Sequence, residues 1–368
     1  MRRPILTGLC CLSVAAWSLA GPALGAQGGA QTGTPQAPPP IAAPSAAQGQ
    51  GRGQGAAVDF EQALQRQAVT DQKWRAASAG LMKMDKVSYK SREGGLEIPA
   101  FLFQPLQLRG PKQHAALVWV HPDIRGHLYE YYIPYVREAV ARGYVVIAPE
   151  YRGSVGYGKE FYDAIDYGGA EVDDVLTSVD YLKANVPQVD PARIGIIGWS
   201  HGGMITLLSA TREPTTFKAA AALVPVTNLF QRLARKGVER QHQAIDPANR
   251  YGGLPNEKPD VYKARSPLYQ IEKLEIPVLV HVTKNDADVN IEEDMQIVDA
   301  LRSRKPDLAE TKVYENPAGG HLFDRQYDPQ DTATYRPVNT HEQRDSWNRV
   351  WAFLDWHLNP GNEPMGKG

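Results

Sequence analysis

The residues best suited to chemistry are Gly198–Gly203 (GWSHGG), which match the pattern G-x-S-x-G. They follow a buried-type apolar run, Arg193–Gly198 (RIGIIG), and precede a segment with helical spacing, His201–Ala210. A sharp strand-to-helix turn strains the backbone at the serine, and the glycines on either side allow the close approach that this turn requires. The sequence therefore predicts Ser200 as a nucleophile.

A serine nucleophile needs a general base, which in this kind of site comes last in chain order, in a loop after the final strand. Gly319–Phe323 (GGHLF) follows a predicted strand, Thr311–Glu315, and meets this requirement. Its two glycines allow the loop to bring an imidazole over the serine. We therefore expect His321 to be the base. Other histidines precede a strand, lie inside one or belong to the C-terminal helix region: His114, His281, His341 and His357.

The base in turn needs an acid that holds its tautomer and stabilises the imidazolium. The acid is expected in the loop after the penultimate strand, where Ile276–Val282 runs into Asp286 and Asp288. Each aspartate could instead cap the helix that begins near Ile291, and we expect one of them to do so. From the spacing alone, either Asp286 or Asp288 could be the acid.

Backbone N–H groups are expected to stabilise the oxyanion of an acyl-transfer reaction. His201 is adjacent to the nucleophile on the turn, so its side chain cannot reach round to act as base, and its N–H is the predicted first donor. The second donor is expected from the loop after the third strand, His121–His127 (HPDIRGH).

The same loop contains metal-ligand residue types at His121, Asp123 and His127. Their spacing matches no dedicated metal motif, so a loop that shapes the pocket is the preferred interpretation. The predicted chemistry requires neither a metal nor an organic cofactor.

The elements that position these residues alternate between strands and helices from about residue 86. Such alternation predicts an α/β protein of the α/β-hydrolase fold, with a mostly parallel eight-stranded sheet, helices on both faces and a small cap formed by Thr227–Arg265. Continuous apolar runs are expected for strands buried on both faces. The runs are Ala115–Val120, Tyr144–Ala148, Arg193–Gly198, Lys218–Val224 and Ile276–Val282.

Over roughly Lys86–Leu358 the chain resembles the catalytic domain of the prolyl oligopeptidase family of serine peptidases. Tyr151–Gly158 (YRGSVGYG) is similar to the family's YRGSxGYG segment, and the serine motif to its GWSxGG. An acidic helix start follows at Glu171, Asp173 and Asp174. Asp286–Val289 resembles the family's D-x-x-V, which begins with the catalytic acid, and Gly320–Phe323 resembles G-H-x-F. The resemblance implies a serine peptidase and favours Asp286 as the acid.

Two features depart from the family pattern. The turn after the third strand lacks the family's HGGP or YxGP, so the N–H of Asp123 is the expected second oxyanion donor, with three tyrosines nearby as alternatives: Tyr129, Tyr131 and Tyr132.

Only about thirty residues separate the predicted tether from the first strand, too few for the family's N-terminal β-propeller. Without a propeller, nothing of that kind would exclude large substrates or bind a peptide amino terminus, so this departure bears on the peptidase assignment more than on the hydrolase assignment. The leading hypothesis is a peptidase-like hydrolase that acts on short peptides, with ester hydrolysis on the same scaffold as the alternative. A catalytically silent binding protein is a remote third interpretation.

The N-terminus has the features of an export signal. Arg2 and Arg3 precede an apolar run, and small residues around Ala23–Ala26 fit a cleavage site. Residues 1–25 are therefore a predicted signal peptide, with an uncleaved membrane anchor as the alternative, and residues 26–57 a tether rich in Gly, Ala, Gln and Pro. A helical segment is expected at 58–85, with apolar residues at Phe60, Leu64, Val69 and Trp74, and the catalytic domain at 86–360. Both cysteines, Cys10 and Cys11, lie within the apolar run, so no disulfide is expected in the mature protein.

The charge balance points away from polyanionic partners. Lys and Arg total 40 against 41 Asp and Glu, so no strong field would attract nucleic acid or an anionic membrane. The sequence thus predicts an exported enzyme, periplasmic or secreted, whose partner is a small peptide or ester substrate.

Overall fold

The computed structural model of the 368-residue chain describes residues 58–235 and 251–361. The predicted signal peptide and tether lie outside the described residues, as do positions 236–250 of the predicted cap. In the described part of the chain, no helix combines the length and the apolar character needed to cross a bilayer.

One eight-stranded sheet organises the described residues, in the spatial order β1-β2-β4-β3-β5-β6-β7-β8. β2 pairs antiparallel with both β1 and β4, and every pair from β4 through β3 to β8 is parallel. The predicted mostly parallel eight-stranded sheet is confirmed. The strands are β1 Met82–Lys90, β2 Glu97–Pro105, β3 His114–Val120, β4 Val145–Pro149, β5 Val189–Trp199, β6 Ala219–Leu223, β7 Val278–Thr283 and β8 Ala309–Tyr314.

Helices cover both faces of the sheet, which explains why the central strands are apolar throughout. Alternate residues of a strand point to opposite faces, and in β3 Ala116 and Val118 pack in one core cluster while Leu117 and Trp119 pack in another. The first cluster includes α4 (Ala170–Asn185), α5 (His201–Arg212) and α8 (Ile291–Arg304), and the second includes α1 (Phe60–Ser78), α2 (Ile133–Ala141) and α9 (His341–Leu358). A short helix, α3, covers Lys159–Asp163.

Helix α1 is present where the sequence predicts a helix, but it buries a different face. Of the predicted apolar positions, Trp74 is buried as expected, whereas Leu64 and Val69 are half exposed. The buried face contains Trp74 and residues at helical spacing from it, Ala63, Gln67, Thr70 and Ala77. Trp74 fixes this face because its ring packs 5.0 Å from that of Phe103 and its Nε1–H donates to the carbonyl of Leu128 at 3.1 Å.

The described part of the predicted cap contains two short helices, α6 (Leu229–Ala234) and α7 (Pro259–Ala264). Asn228 caps α6 through its side chain, which accepts from Phe230 N–H. The loops that follow β3, β5, β7 and β8 lie at the carboxyl edge of the parallel strands, where open α/β sheets form their sites.

Candidate active site

Ser200 ends β5 and begins α5 in a backbone conformation that few residues adopt. Its φ is 54° and its ψ −118°, a region in which non-glycine residues are strained. Two backbone hydrogen bonds fix the turn, one from Ser200 N–H to the carbonyl of Leu223 at 3.0 Å and one from Val226 N–H to the carbonyl of Ser200 at 3.2 Å. The strained turn predicted for G-x-S-x-G is therefore present.

The glycines of the motif are required by close backbone approach. A Cβ on Gly202 would lie 2.4 Å from the carbonyl oxygens of both Val120 and His121. A Cβ on Gly198 would lie 2.3 Å from the carbonyl oxygen of Gly202. The serine turn is thus packed directly against the end of β3, so the loop after β3 and the nucleophile hold each other in place.

Asp286 and His321 form a direct hydrogen bond. His321 Nδ1 lies 2.6 Å from Asp286 Oδ2, a charge-assisted distance, and the aspartate side chain has no solvent exposure. His321 is on a short 3₁₀ turn, Gly320–Leu322, after β8, and its side chain is 10% exposed. With Nδ1 directed to the carboxylate, Nε2 is the nitrogen left for a substrate or a serine hydroxyl.

The loop after β7 orients the Asp286 carboxylate. Oδ1 accepts two backbone N–H groups at 2.8 Å, from Asp288 and Val289, which leaves Oδ2 for His321. Asp288 is exposed, and the geometry selects Asp286 over it. The expectation that one of these aspartates caps the following helix is wrong: Asn290 is the N-cap of α8, and its side chain accepts from Glu293 N–H at 3.1 Å.

A second carboxyl group, that of Asp294, is buried near Asp286. Neither carboxyl oxygen of Asp294 has a hydrogen-bond partner among the described residues, and the side chain is fully buried. Burial and the nearby charges of Asp286 and Glu293 raise the pKa of Asp294 well above its usual range. Asp286 is therefore the carboxylate that presents its charge to the imidazole.

The side chain of His201 has a structural partner that sequence reasoning missed. Its Nε2 lies 3.1 Å from Oε1 of Glu171, and both side chains are buried. Burial alone would raise the pKa of Glu171, but the hydrogen bond to His201, the His201 charge and backbone hydrogen bonds together outweigh it, and the pKa lies below its ordinary value. The pair anchors the start of α5, where the N–H of His201, as the first helical residue, has no acceptor within the helix.

The loop after β3 is fixed by a tyrosine from the YRGS segment. Tyr151 Oη donates to the carbonyls of Asp123 at 2.6 Å and His121 at 3.2 Å, and its ring stacks on His121 at 4.1 Å. Asp123 itself has φ 69°, a left-handed conformation that aspartate tolerates better than most residues. Because Pro122 has no N–H, the N–H of Asp123 is the first one available after His121.

Two of the three nearby tyrosines lie in a packed aromatic layer. The buried Tyr132 hydroxyl has no hydrogen-bond partner within the part of the chain that the structure describes. Its ring lies 4.6 Å from that of Trp199, and the Tyr131 ring lies 4.7 Å from the Tyr132 ring. Tyr129 differs because it lies near Asp123: burial and then the Asp123 charge raise the pKa of Tyr129 well above its usual range. Of the three, Tyr129 is the one beside the predicted oxyanion loop.

The metal interpretation of the loop after β3 does not fit the contacts of His121. Its two ring nitrogens lie 2.9 Å from the carbonyl of Pro122 and from Ser154 Oγ, and burial lowers its pKa to about 3. Among the described residues, one other group of possible metal ligands lies close together. It consists of Asp286, Asp288 and His321, whose ligand atoms lie within 4.8 Å of one another. There the 2.6 Å bond between Asp286 and His321 already uses one atom of each, as an acid–imidazole pair does.

A family model matches the part of the chain that contains most of these residues. The description of the model is the prolyl oligopeptidase family, and the match covers residues 132–360. The chain belongs to this family. The matched region contains Ser200, Asp286 and His321, whereas Asp123 precedes it.

Relatives in the prolyl oligopeptidase family are longer than the region they share with this chain. The uncharacterised peptidase YuxL of Bacillus subtilis is 28% identical over 288 residues, which are 74% of this chain and 39% of YuxL. The acylamino-acid-releasing enzyme of Arabidopsis thaliana is 31% identical over 188 residues, 50% of this chain and 24% of that enzyme. The chain thus spans about two fifths or less of these relatives.

Solved structures agree on the fold. A puromycin-hydrolysing peptidase of Mycobacterium tuberculosis matches with a TM-score of 0.61 at 24% identity, over 78% of this chain and 40% of that one. A Klebsiella pneumoniae protein assigned as a dienelactone hydrolase matches with a TM-score of 0.53 at 21% identity, over 74% of this chain and 98% of that one. The α/β-hydrolase architecture is confirmed.

Asp324 connects the histidine loop to the nucleophile turn, a contact the sequence did not reveal. Its fully buried carboxylate accepts from Trp199 Nε1 at 2.5 Å, immediately before Ser200, and pairs with Arg325 at 2.7 Å. The carbonyl of Asp324 accepts from side chains on two helices, Trp347 Nε1 at 2.5 Å and Tyr135 Oη at 3.2 Å. Asp324 therefore joins the loop of His321 to the turn of Ser200.

We expect Asp324→Asn to lower both the stability and kcat. The variant leaves the Arg325 cation buried without its counter-charge, which costs about 3 kcal/mol or more, and it loosens Trp199, which should reduce kcat about tenfold or more. Thermal unfolding and steady-state kinetics measure the two effects.

Asp355→Asn is the matched control. Asp355 also binds an arginine and an aromatic hydroxyl, Arg142 at 2.5 Å and Tyr144 at 3.0 Å, but at the opposite edge of the sheet. We expect this variant to keep its activity. Equal losses of kcat in both variants, or no loss in Asp324→Asn, would contradict a positioning role.

Proposed function

We propose that the chain is a serine hydrolase that cleaves short peptides through an acyl-enzyme, with Ser200, His321 and Asp286 as its triad. The observation that carries this proposal is the 2.6 Å bond between the buried Asp286 carboxylate and His321, at the sheet edge where Ser200 occupies its strained turn. Membership of the prolyl oligopeptidase family supports it.

The proposed reaction proceeds in two balanced steps. His321 Nε2 takes the proton of Ser200 as Oγ attacks the carbonyl carbon, and returns it to the leaving amine as the C–N bond breaks. Water then attacks the acyl-enzyme with His321 again as base, which releases the acid and regenerates Ser200. Asp286 remains ionised and stabilises the imidazolium in both steps.

Two backbone N–H groups are proposed for the oxyanion, those of His201 and Asp123. His201 offers a first-turn N–H on a helix held by Glu171, and the Asp123 loop is fixed by Tyr151. Such donors stabilise the transition state when they are fixed in advance, and removing one typically costs a hundred- to a thousandfold in kcat. The hydroxyl of Tyr129 is the alternative second donor.

An ester hydrolase is the second candidate. The observation that favours it is the match to the protein assigned as a dienelactone hydrolase. The match extends over 98% of that protein's length. Assays with acetyl-dipeptide p-nitroanilides and with p-nitrophenyl butyrate separate the two functions. Turnover of the ester without any turnover of the amides would replace the peptidase proposal by the esterase.

We expect Ser200→Ala to lower kcat on the preferred substrate by at least about four orders of magnitude, because the acyl-enzyme cannot form. Ser209→Ala is the matched control, since Ser209 is a buried serine on the adjoining helix whose hydroxyl has no partner among the described residues. Steady-state kinetics should show activity close to wild type for this control. Undiminished turnover by Ser200→Ala would exclude Ser200 as the nucleophile.

Export to the periplasm or the medium is proposed from residues 1–25 alone, and we expect the mature chain to begin at Ala26. Expression of the full sequence in a bacterial host, followed by cell fractionation and mass spectrometry of the N-terminus, tests this. Recovery of the uncleaved chain in the membrane fraction would instead support an N-terminal anchor. Recovery of the uncleaved chain in the cytosol would contradict export.

A further inference from the structure

Arg232, on α6, lies between the two sides of the proposed catalytic site. Its Nε donates to Tyr167 Oη at 2.9 Å, and its Nη1 donates to the carbonyl of Asp288 at 3.2 Å. The Tyr167 ring lies 4.9 Å from the ring of His201, next to the nucleophile, and Asp288 belongs to the loop of Asp286. The guanidinium therefore bridges from the nucleophile turn to the acid loop.

The bonds of Arg232 orient its charge without neutralising it. Both partners are neutral, a phenol and a peptide carbonyl, and among residues 58–235 and 251–361 no carboxylate lies within 4 Å of its guanidinium. By contrast, Arg265 and Arg152 pair directly with aspartates, at 3.0 and 2.7 Å.

Glu293 and Arg232 attract each other electrostatically, but Glu293 makes its hydrogen bonds to the backbone and not to the guanidinium. Glu293 Oε1 accepts the N–H groups of Thr227 at 2.7 Å and Asn228 at 3.0 Å. Burial raises the pKa of Glu293 above its ordinary value. Arg232 is thus a fixed cation at the site that retains its capacity for an anionic partner.

Tyr167 is held in a conformation that costs energy. Its φ is 50°, in the left-handed region that an aromatic residue rarely occupies. Its carbonyl accepts from Tyr251 Oη at 3.3 Å, which helps to hold the strained backbone. Strain of this kind persists where the surroundings enforce it, and it is concentrated at functional sites. Because its oxygen accepts from Arg232, the Tyr167 hydroxyl can donate its own hydrogen to a third group.

We propose that Arg232, oriented by Tyr167, is a subsite for a carboxylate of the substrate. This inference rests on the proposed function and adds a substrate class to it: peptides with an acidic side chain or a free terminal carboxylate near the scissile bond. A guanidinium binds carboxylates through parallel N–H bonds, and the Tyr167 hydroxyl adds a third donor.

The test compares matched pairs of substrates. Acetyl-Ala-Glu and acetyl-Ala-Gln p-nitroanilides differ only in the side-chain charge, and tripeptides with free and amidated C-termini differ only in the terminal charge. For wild type we expect kcat/KM to favour the charged member of one pair by about tenfold to a hundredfold. The pair that shows the preference identifies the source of the carboxylate.

Variants then assign the preference to Arg232. Arg232→Gln should bring the charged-to-neutral ratio close to one, and Arg232→Lys should restore only part of it, because a lysine keeps the charge but not the planar fork. Arg235→Gln is the matched control: it removes the same charge three residues along, from an exposed side chain that pairs with Glu292 at 3.1 Å. This variant should keep the wild-type ratio.

A binding measurement makes the result independent of turnover. Calorimetry with Ser200→Ala should show that acetyl-Ala-Glu or a free-carboxylate tripeptide binds at least about tenfold more tightly than its neutral partner. Ratios near one in both pairs, by kinetics and by calorimetry, would overturn the carboxylate subsite. An equal loss in Arg232→Gln and Arg235→Gln would overturn it as well. If peptides are hydrolysed without a preference for charge, the carboxylate subsite is wrong and the hydrolase proposal stands. If charged peptides bind preferentially but are not hydrolysed, the subsite stands and the hydrolase proposal is contradicted.

Discussion

The site depends on one hydrogen bond made away from water, between Asp286 and His321. Burial strengthens the electrostatic attraction between a carboxylate and an imidazolium, and it also makes an unpaired carboxylate costly. In the loop after β7, two backbone N–H groups bind the other oxygen of the Asp286 carboxylate and offset that cost, and the pKa of the nearby buried Asp294 is raised well above its usual range. The charge of Asp286 therefore acts on the imidazole of His321, and Nε2 of that ring remains available for proton transfer.

The fold places Ser200 at the same edge of the sheet as this pair. Parallel strands end at one edge of the sheet, so loops that are distant in sequence meet there. The Trp199–Asp324 bond joins the serine turn to the histidine loop, and Gly202 packs the same turn against the end of β3. The strain at Ser200 is stable because several elements enforce it together. As proposed above, Arg232 would add selection for substrates that carry a carboxylate.

Local patterns predicted much of this arrangement. Apolar runs located the central strands, and the order of the motifs along the chain predicted that Asp286 and His321 would meet. Contacts between side chains far apart in sequence could not be predicted, as Glu171 with His201 and Asp324 with Trp199 show. The buried face of α1 was predicted only in part: Trp74 packs against β2 as an apolar position should, whereas Leu64 and Val69 lie off the face that Trp74 defines and remain exposed.

The rate of reaction of Ser200 with a fluorophosphonate measures the central claim most directly, because it reports the reactivity of the serine without substrate binding. The comparison is between wild type, Asp286→Asn and Asp288→Asn. The account predicts labelling at Ser200, a loss of about four orders of magnitude in the Asp286 variant, and a rate near wild type in the Asp288 variant. Equal rates in all three proteins, or labelling at a residue other than Ser200, would contradict it.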